Sequence, residues 1–186
     1  MSDPRASTLK IPSFFHELLG TESTPFHVAL TLGAAGGLTA VVVGLSVLAG
    51  DPMWRTALLA VLVVDLAGGV VSNVTPGTNR FYRASRRRRR IFLSLHVLQP
   101  AALLFLFPGA IAHVAVVSLY TLASSAFLSE GADPKLQRPA SVFLTLTGLT
   151  ALLLLPAPDP VLQLVLVLYL WKLILAFAPD WYESQR

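Results

Sequence analysis

The chain has 186 residues, of which 54% are hydrophobic and 13% are Asp, Glu, Lys or Arg, about half the charged fraction of a typical soluble domain. This composition excludes an intrinsically disordered chain and argues against a soluble enzyme, because the apolar residues lie in blocks long enough to cross a bilayer. The formal net charge is +4, and the absence of cysteine excludes disulfides, thiol catalysis and thiolate metal sites. The sequence therefore predicts an integral membrane protein.

The first predicted element is a short amphipathic helix in a cytoplasmic segment of residues 1–25. Its apolar residues recur at helical spacing, with Pro12 near the start and Gly20 after the end: Ile11, Phe14, Phe15, Leu18 and Leu19. We expect this interfacial helix either to lie on the inner membrane surface or to pack across the cytoplasmic end of a helical bundle.

Six apolar blocks follow, separated by short segments rich in proline, glycine and charge. They are Phe26 to Ala49, Trp54 to Val74, Ile91 to Phe107, Gly109 to Leu128, Ala140 to Leu155 and Val161 to Ala178. Several approach the ~20 residues that a membrane-spanning helix needs, whereas the third and fifth are short, so five spans or a re-entrant pair is the alternative. The predicted fold class is all-α, a polytopic transmembrane helical bundle of about six spans, with one domain over 26–178 and a cytoplasmic tail over 179–186.

The distribution of basic residues predicts the orientation. With an intracellular N-terminus, the cytoplasmic segments hold 12 of the 14 Lys and Arg residues: Arg5, Lys10, Arg80, Arg83, Arg86 to Arg90, Lys135, Arg138 and Arg186. Cytoplasmic loops are enriched in these residues. We therefore expect a multi-pass protein of the cell membrane with both termini in the cytoplasm.

Ionisable and amide side chains inside the blocks are the candidate functional residues, because such groups are costly in a membrane and usually face the bundle interior. Asp65 lies roughly 16 Å and Lys172 roughly 17 Å below the outer ends of their helices, and Gln99 falls at about the same level. His96 lies one turn nearer the cytoplasm, and Asn73 flanks the face that carries Asp65. We predict one polar layer that binds substrate through these five residues.

Each of these residues also has a structural interpretation. Asp65 and Lys172 could form a buried ion pair, or the lysine could extend to the inner surface. Because Pro100 cannot donate a hydrogen bond to the carbonyl of His96, that carbonyl is free for a ligand or for a neighbouring Ser or Thr.

The second candidate surface is the basic segment after the second block. Its arginines are suited to bind anionic head groups of membrane lipids at the cytoplasmic face: Arg80, Arg83, Arg86, Arg87, Arg88, Arg89 and Arg90. The alternative is that they only fix topology and attract anionic lipids non-specifically. We expect no specific nucleic-acid partner.

These observations leave three classes of function. The first is binding or transport of a small polar solute, ion or proton through the polar layer. The second is a membrane enzyme acting on a lipid or isoprenoid-phosphate substrate at the cytoplasmic face, and the third is a non-catalytic assembly subunit. The small residues Gly33 and Gly37 are compatible with close packing within the bundle or across a homo-oligomer. The four histidines are scattered, so we assign no metal and no cofactor, and no catalytic signature identifies a reaction.

Overall fold

The computed structural model describes residues 8–155 and 157–182, and nearly all of them are helical. Leu9–Lys10 (β1) pairs antiparallel with Glu22–Ser23 (β2). The helices are α1 (His16–Leu19), α2 (Pro25–Leu48), α3 (Met53–Asn73), α4 (Pro76–Arg83), α5 (Arg86–Leu95), α6 (Leu98–Leu106), α7 (Ile111–Ala126), α8 (Pro134–Leu154) and α9 (Pro160–Leu170). Single turns of 3₁₀ helix precede α1 (Ser13–Phe15) and α7 (Pro108–Ala110), and π-helical turns extend α7 (Phe127–Gly131) and α9 (Trp171–Phe177).

Five stretches of helix are long and apolar enough to cross a membrane. They are Pro25–Leu48, Met53–Asn73, Arg86–Leu106, Pro108–Gly131 and Pro160–Phe177. The predicted all-α membrane bundle is therefore confirmed.

The remaining predicted block, Ala140 to Leu155, lies in α8, which runs antiparallel to the final span along its whole length. At one end Arg138 Nε donates to the carbonyl of Asp180 at 2.8 Å, and at the other end Gln163 Nε2 donates to the carbonyl of Leu152 at 2.9 Å. α8 therefore covers the same depth as that span, although Lys135 and Arg138 make its first turns less apolar.

Several helices begin earlier than the apolar pattern predicts, because their first turns are polar and capped. Ser85 Oγ accepts from the backbone N–H of Arg88, and α5 therefore starts in the middle of the arginine segment. Asp133 caps α8 in the same way by accepting from Lys135 N–H at 2.8 Å. Arginine and lysine are good helix formers, so a charged stretch continues the helix where hydropathy ends.

The N-terminal segment packs across the bundle, but the helix predicted there is only a 3₁₀ turn followed by the four residues of α1. Thr78 Oγ1 of α4 donates to the carbonyl of Leu18 at 3.0 Å, and Leu19 is buried. The sequence did not indicate the β1–β2 ladder, which closes the segment on itself before α2 begins.

The described basic segments all lie at one end of the bundle. We call this the basic end; it comprises the N-terminal segment, α4, the start of α5, residues 130–138 and residues 178–182. Tyr182 Oη donates to the carbonyl of Val74 at 2.7 Å, and Arg90 pairs with Glu130 at 3.0 Å. At the opposite end, Arg55 pairs with Asp51 and lies 3.5 Å from Asp159. Arg5 and Arg186 lie outside the described residues.

Candidate functional site

Three of the predicted polar residues meet between α3, α6 and the π-helical turn that follows α9. Lys172 Nζ donates to Asp65 Oδ1 at 2.7 Å, and Gln99 Nε2 donates to Asp65 Oδ2. The aspartate therefore links three helices that are distant in sequence, at the depth where the helix-length argument placed all three residues.

The two charged partners have different surroundings. The Lys172 side chain is 2% exposed, whereas the Asp65 side chain is 50% exposed. Lys172 reaches Asp65 by lying across Gly69, where a β-carbon would stand 2.3 Å from Lys172 Cε. The lysine therefore forms an ion pair inside the bundle and does not extend to the inner surface.

His96 is buried next to this layer, at the break between α5 and α6. Its Nδ1 lies 2.7 Å from the carbonyl of Phe92, and its ring lies against that of Phe92 with centroids 3.9 Å apart and planes tilted by 30°. The carbonyl that Pro100 leaves free accepts from Tyr169 Oη at 3.1 Å, so a neighbouring hydroxyl occupies it rather than a ligand. Among the described residues, His96 Nε2 has no hydrogen-bond partner.

The polar layer opens into a cavity of about 510 Å³ between α3 and the α5–α6 span. Asp65, His96, Gln99 and Lys172 all line it. Its volume falls within the ~300–1,000 Å³ typical of small-molecule sites. The predicted residues are thus placed on the wall of one cavity as well as in contact with one another.

The rim of the cavity carries exposed apolar side chains. Val64 on α3 and Ile91 and Leu95 on α5 line the cavity and are themselves exposed. These side chains lie at membrane depth on helices that belong to candidate spans. The cavity therefore opens beside exposed apolar side chains of two candidate spans.

The cavity is covered at the basic end by aromatic side chains. The positions of the ionisable groups in the sequence did not indicate them. Phe14 and Phe15 come from the N-terminal segment, Phe81 and Tyr82 come from α4, and all four line the cavity. Their only sequence signal was the apolar spacing of the first element, and nothing indicated that α4 would be a helix.

Tyr82 fixes this cover in place. Its hydroxyl donates to the carbonyl of Glu17 at 3.0 Å, and its ring packs edge-on against Phe92 and Phe177. Burial raises the pKa of Tyr82, and the carboxylates of Glu17 and Asp65 raise it further. The hydroxyl therefore remains protonated and keeps its role as a donor.

Asn73, the fifth residue predicted in the polar layer, lies about two turns from Asp65 toward the basic end of α3. It lines the same cavity and is buried. Among the described residues its Nδ2 donor has no hydrogen-bond partner. The cavity therefore extends from the ion pair to an amide near the membrane surface.

The seven arginines of the basic segment are dispersed rather than gathered around one site. Arg83 donates to the carbonyls of Phe177 and Ala178, where it caps the final span. Arg89 and Arg90 approach Glu130. Arg88 lies over the Phe81 ring, 4.3 Å from its centroid, at the mouth of the cavity. The other three are exposed: Arg80, Arg86 and Arg87.

Within the part of the chain that the structure describes, no group of three or more His, Asp or Glu side chains is placed to hold a metal ion. Comparisons of the chain with known protein families, curated proteins and solved structures find no match. The function is therefore argued from the geometry and chemistry of the cavity.

Proposed function

We propose that the protein binds a membrane-embedded amphiphile in the cavity between α3 and the α5–α6 span. The ligand enters sideways from the bilayer and places its polar group against Asp65, His96 and Gln99. One observation carries the proposal: a half-exposed carboxylate lines a cavity whose rim carries exposed apolar side chains.

The exposed half of Asp65 supports this assignment. Hydrocarbon cannot solvate an ionised carboxylate, so a polar group or water must occupy the space in front of it. Lys172 and Gln99 already satisfy one side of the carboxylate. A ligand with a polar head and an apolar body fits both the remaining side and the apolar rim.

Binding is favoured over passage of a solute or proton across the membrane. From the layer to the opposite end, α3 contributes Leu59 and Val63 and the final span contributes Leu162 and Leu166, all fully buried. These apolar side chains fill the bundle along both helices of the ion pair. The cavity therefore serves as a site entered from one side.

The basic end is assigned to the cytoplasm of a cell-membrane protein, on the distribution of arginine and lysine in short connections. Arg86 and Arg87 are exposed there and are available to anionic lipid head groups. This contact would keep the head groups of the membrane close to the cavity mouth. It would not determine which molecule binds in the cavity.

The test is native mass spectrometry of the protein released from mild detergent, comparing two tryptophan variants. Leu95 lines the cavity, whereas Leu98 is 65% exposed on the next turn and does not line it. Leu95→Trp fills the entrance and should remove a co-purified amphiphile, while Leu98→Trp should retain it. Thermal unfolding of both variants checks that the bundle is intact.

Loss of the bound mass in Leu95→Trp alone supports the proposal. Equal occupancy in both variants, or no amphiphile bound to the wild-type protein, contradicts it.

A second candidate function, a membrane enzyme acting on the bound lipid, is favoured by His96. His96 lines the cavity, and among the described residues its Nε2 has no hydrogen-bond partner, so this atom could accept a proton from a bound group. Turnover of extracted lipids by the wild-type protein but not by His96→Gln would support this function. An unchanged lipid profile with the wild-type protein would exclude it.

A further inference from the structure

We infer that the ligand presents a hydroxyl group, and hence that the cavity selects a neutral lipid alcohol rather than a phosphate or an ammonium head group. The inference rests on the proposed function and names the ligand class of that same cavity. It is carried by two buried hydrogen-bond acceptors that have no partner among the described residues.

The first acceptor is His96 Nε2. A carbonyl oxygen can only accept, so the 2.7 Å contact between Nδ1 and the carbonyl of Phe92 places the ring proton on Nδ1. In the neutral ring Nε2 then carries a lone pair, and a buried imidazolium without a partner would be costly. His96 is 7% exposed, and Nε2 has no partner in the described part of the chain.

The second acceptor is Gln99 Oε1. The amide nitrogen of Gln99 donates to Asp65, which fixes the orientation of the amide and leaves its oxygen as the free atom. Gln99 is 9% exposed, and Oε1 also lacks a partner within the described residues. Both residues line the cavity, so a donor that enters it lies against the side chains that carry the two acceptors.

The charge of the layer disfavours the ionic alternatives. Asp65 and Lys172 neutralise each other at 2.7 Å, so the layer has no net charge to attract an ion. An ammonium head would add a positive charge that the paired carboxylate of Asp65 does not balance, and a phosphate would meet the carboxylate and two lone pairs with no proton to offer them.

A hydroxyl fits the remaining groups of the layer. Its proton goes to an acceptor, while its oxygen accepts from Lys172 or from the second amide proton of Gln99. Single-chain alcohols and diacylglycerols share this chemistry, and the experiment separates them.

The test measures binding of matched probes to the full-length protein in nanodiscs by native mass spectrometry. Hexadecanol is compared with hexadecyl methyl ether, and dioleoylglycerol is compared with its methyl ether. In each pair the ether carries a methyl group in place of the hydroxyl proton, so it keeps the acceptor oxygen and loses the donor. A buried acceptor without a hydrogen bond is costly. We therefore expect the dissociation constant of the preferred alcohol to be lower than that of its ether by a factor of about ten or more.

Hexadecyl phosphate and hexadecylamine complete the series and should bind more weakly than hexadecanol. The stronger of the two alcohol–ether differences identifies whether a single-chain alcohol or a diacylglycerol is preferred. The Leu95→Trp variant shows which binding takes place in the cavity.

The outcomes separate this inference from the proposed function. If alcohols and ethers bind equally, and Leu95→Trp abolishes both, the cavity binds amphiphiles but the hydroxyl inference is wrong. If the phosphate or the amine binds best in the cavity, the hydroxyl inference is also wrong. If no probe shows binding that Leu95→Trp removes, water alone fills the cavity and both proposals fail.

A pair of variants assigns the acceptor. His96→Phe keeps a ring that can stack on Phe92 but removes Nε2, and it should lower the alcohol-to-ether ratio about threefold or more. Tyr169→Phe removes the hydrogen bond to the carbonyl of His96 without changing the imidazole, and should leave the ratio unchanged. A ratio that falls equally in both variants would assign the effect to the helix break instead of the acceptor.

Discussion

The two members of the Asp65–Lys172 pair differ in what surrounds them, and this predicts unequal effects of removing each one. Asp65→Asn leaves a 2% exposed ammonium without its counter-ion, and should lower the free energy of unfolding by about 3 kcal/mol. Lys172→Met leaves a carboxylate that is 50% exposed to the cavity and that keeps its hydrogen bond from Gln99. The Lys172→Met variant should therefore lose less free energy of unfolding than Asp65→Asn. Thermal and denaturant unfolding in mild detergent would measure both changes.

Two comparisons make this prediction specific. Arg90→Gln removes a side chain that is 67% exposed and leaves Glu130 beside Arg89, and it should change stability by less than about 1 kcal/mol. The double variant Asp65→Asn/Lys172→Met should recover most of the stability lost in Asp65→Asn. Equal losses for the two single variants would mean that the lysine is solvated and that the ion pair is not buried as described.

Gly69 is the residue that gives Lys172 its path to Asp65. A β-carbon at Gly69 would stand 2.3 Å from Lys172 Cε, whereas one at the adjacent Gly68 has its nearest contact, Ala35 Cβ, at 3.4 Å. Gly69→Ala should therefore destabilise the protein by about 1–3 kcal/mol, as overpacking does, while Gly68→Ala should be close to neutral. Unfolding midpoints compare the two; a Gly69→Ala variant as stable as Gly68→Ala would show that the lysine has another route.

At the level of elements, the N-terminal segment is held on α4 by contact between two glycines. A β-carbon on Gly77 would stand 2.1 Å from the carbonyl oxygen of Glu22, and Gly20 has a φ of 72° and faces Gly77 at a similar separation. Backbone atoms form these contacts, so no side-chain movement can relieve them. Gly77→Ala should therefore detach the segment and raise the hydrogen-exchange rate of the β1–β2 ladder about tenfold or more.

The matched control is Gly37→Ala on α2, where an added β-carbon meets nothing within 4 Å. Its exchange pattern should equal that of the wild-type protein. Because Phe14 and Phe15 belong to the detached segment and line the cavity, Gly77→Ala should also weaken amphiphile binding. Unchanged exchange of the ladder in Gly77→Ala would mean that the segment is not docked through this contact.

Hydropathy predicted the long helices but not the elements at the basic end, and the reason is physical. A span is specified by the apolarity of its own residues, which is a local property. The helix α4 and the ladder β1–β2 are stabilised by contacts with one another, such as the hydrogen bond from Thr78 to Leu18, and such contacts leave no periodic signal. α8 was predicted too short because its first turns are capped by Asp133 and carry charge.

The polar layer shows the same limit at the scale of the molecule. Counting residues along each helix placed Asp65, Gln99 and Lys172 at one depth, because helix rise is constant. Depth does not specify which helix faces are adjacent, so the cavity and its aromatic cover did not follow from the sequence. The sequence also did not indicate that Tyr169 donates to the carbonyl of His96, because this contact depends on how the final span packs against α5.

The orientation of the whole bundle is the remaining prediction, and the absence of cysteine makes it directly measurable. Single cysteines at the exposed positions Ala84 and Lys135 would mark the basic end, and Met53→Cys and Gly109→Cys would mark the opposite end. In intact cells, a membrane-impermeant maleimide should label the second pair only, because basic connections stay in the cytoplasm. Permeabilised cells should label all four, which controls for reactivity.

The same method tests whether α8 crosses the membrane. Lys135 lies at its start, and Pro158 follows its end in the connection to α9. α8 forms hydrogen bonds with residues of the final span and its tail at both of its ends. If α8 spans the bilayer beside α9, Pro158→Cys should be labelled from outside and Lys135→Cys only after permeabilisation. Labelling of both positions from the same side would mean that the bundle has five spans. Labelling of the basic end from outside would mean that the orientation is the opposite one and that the cavity mouth faces the extracellular side.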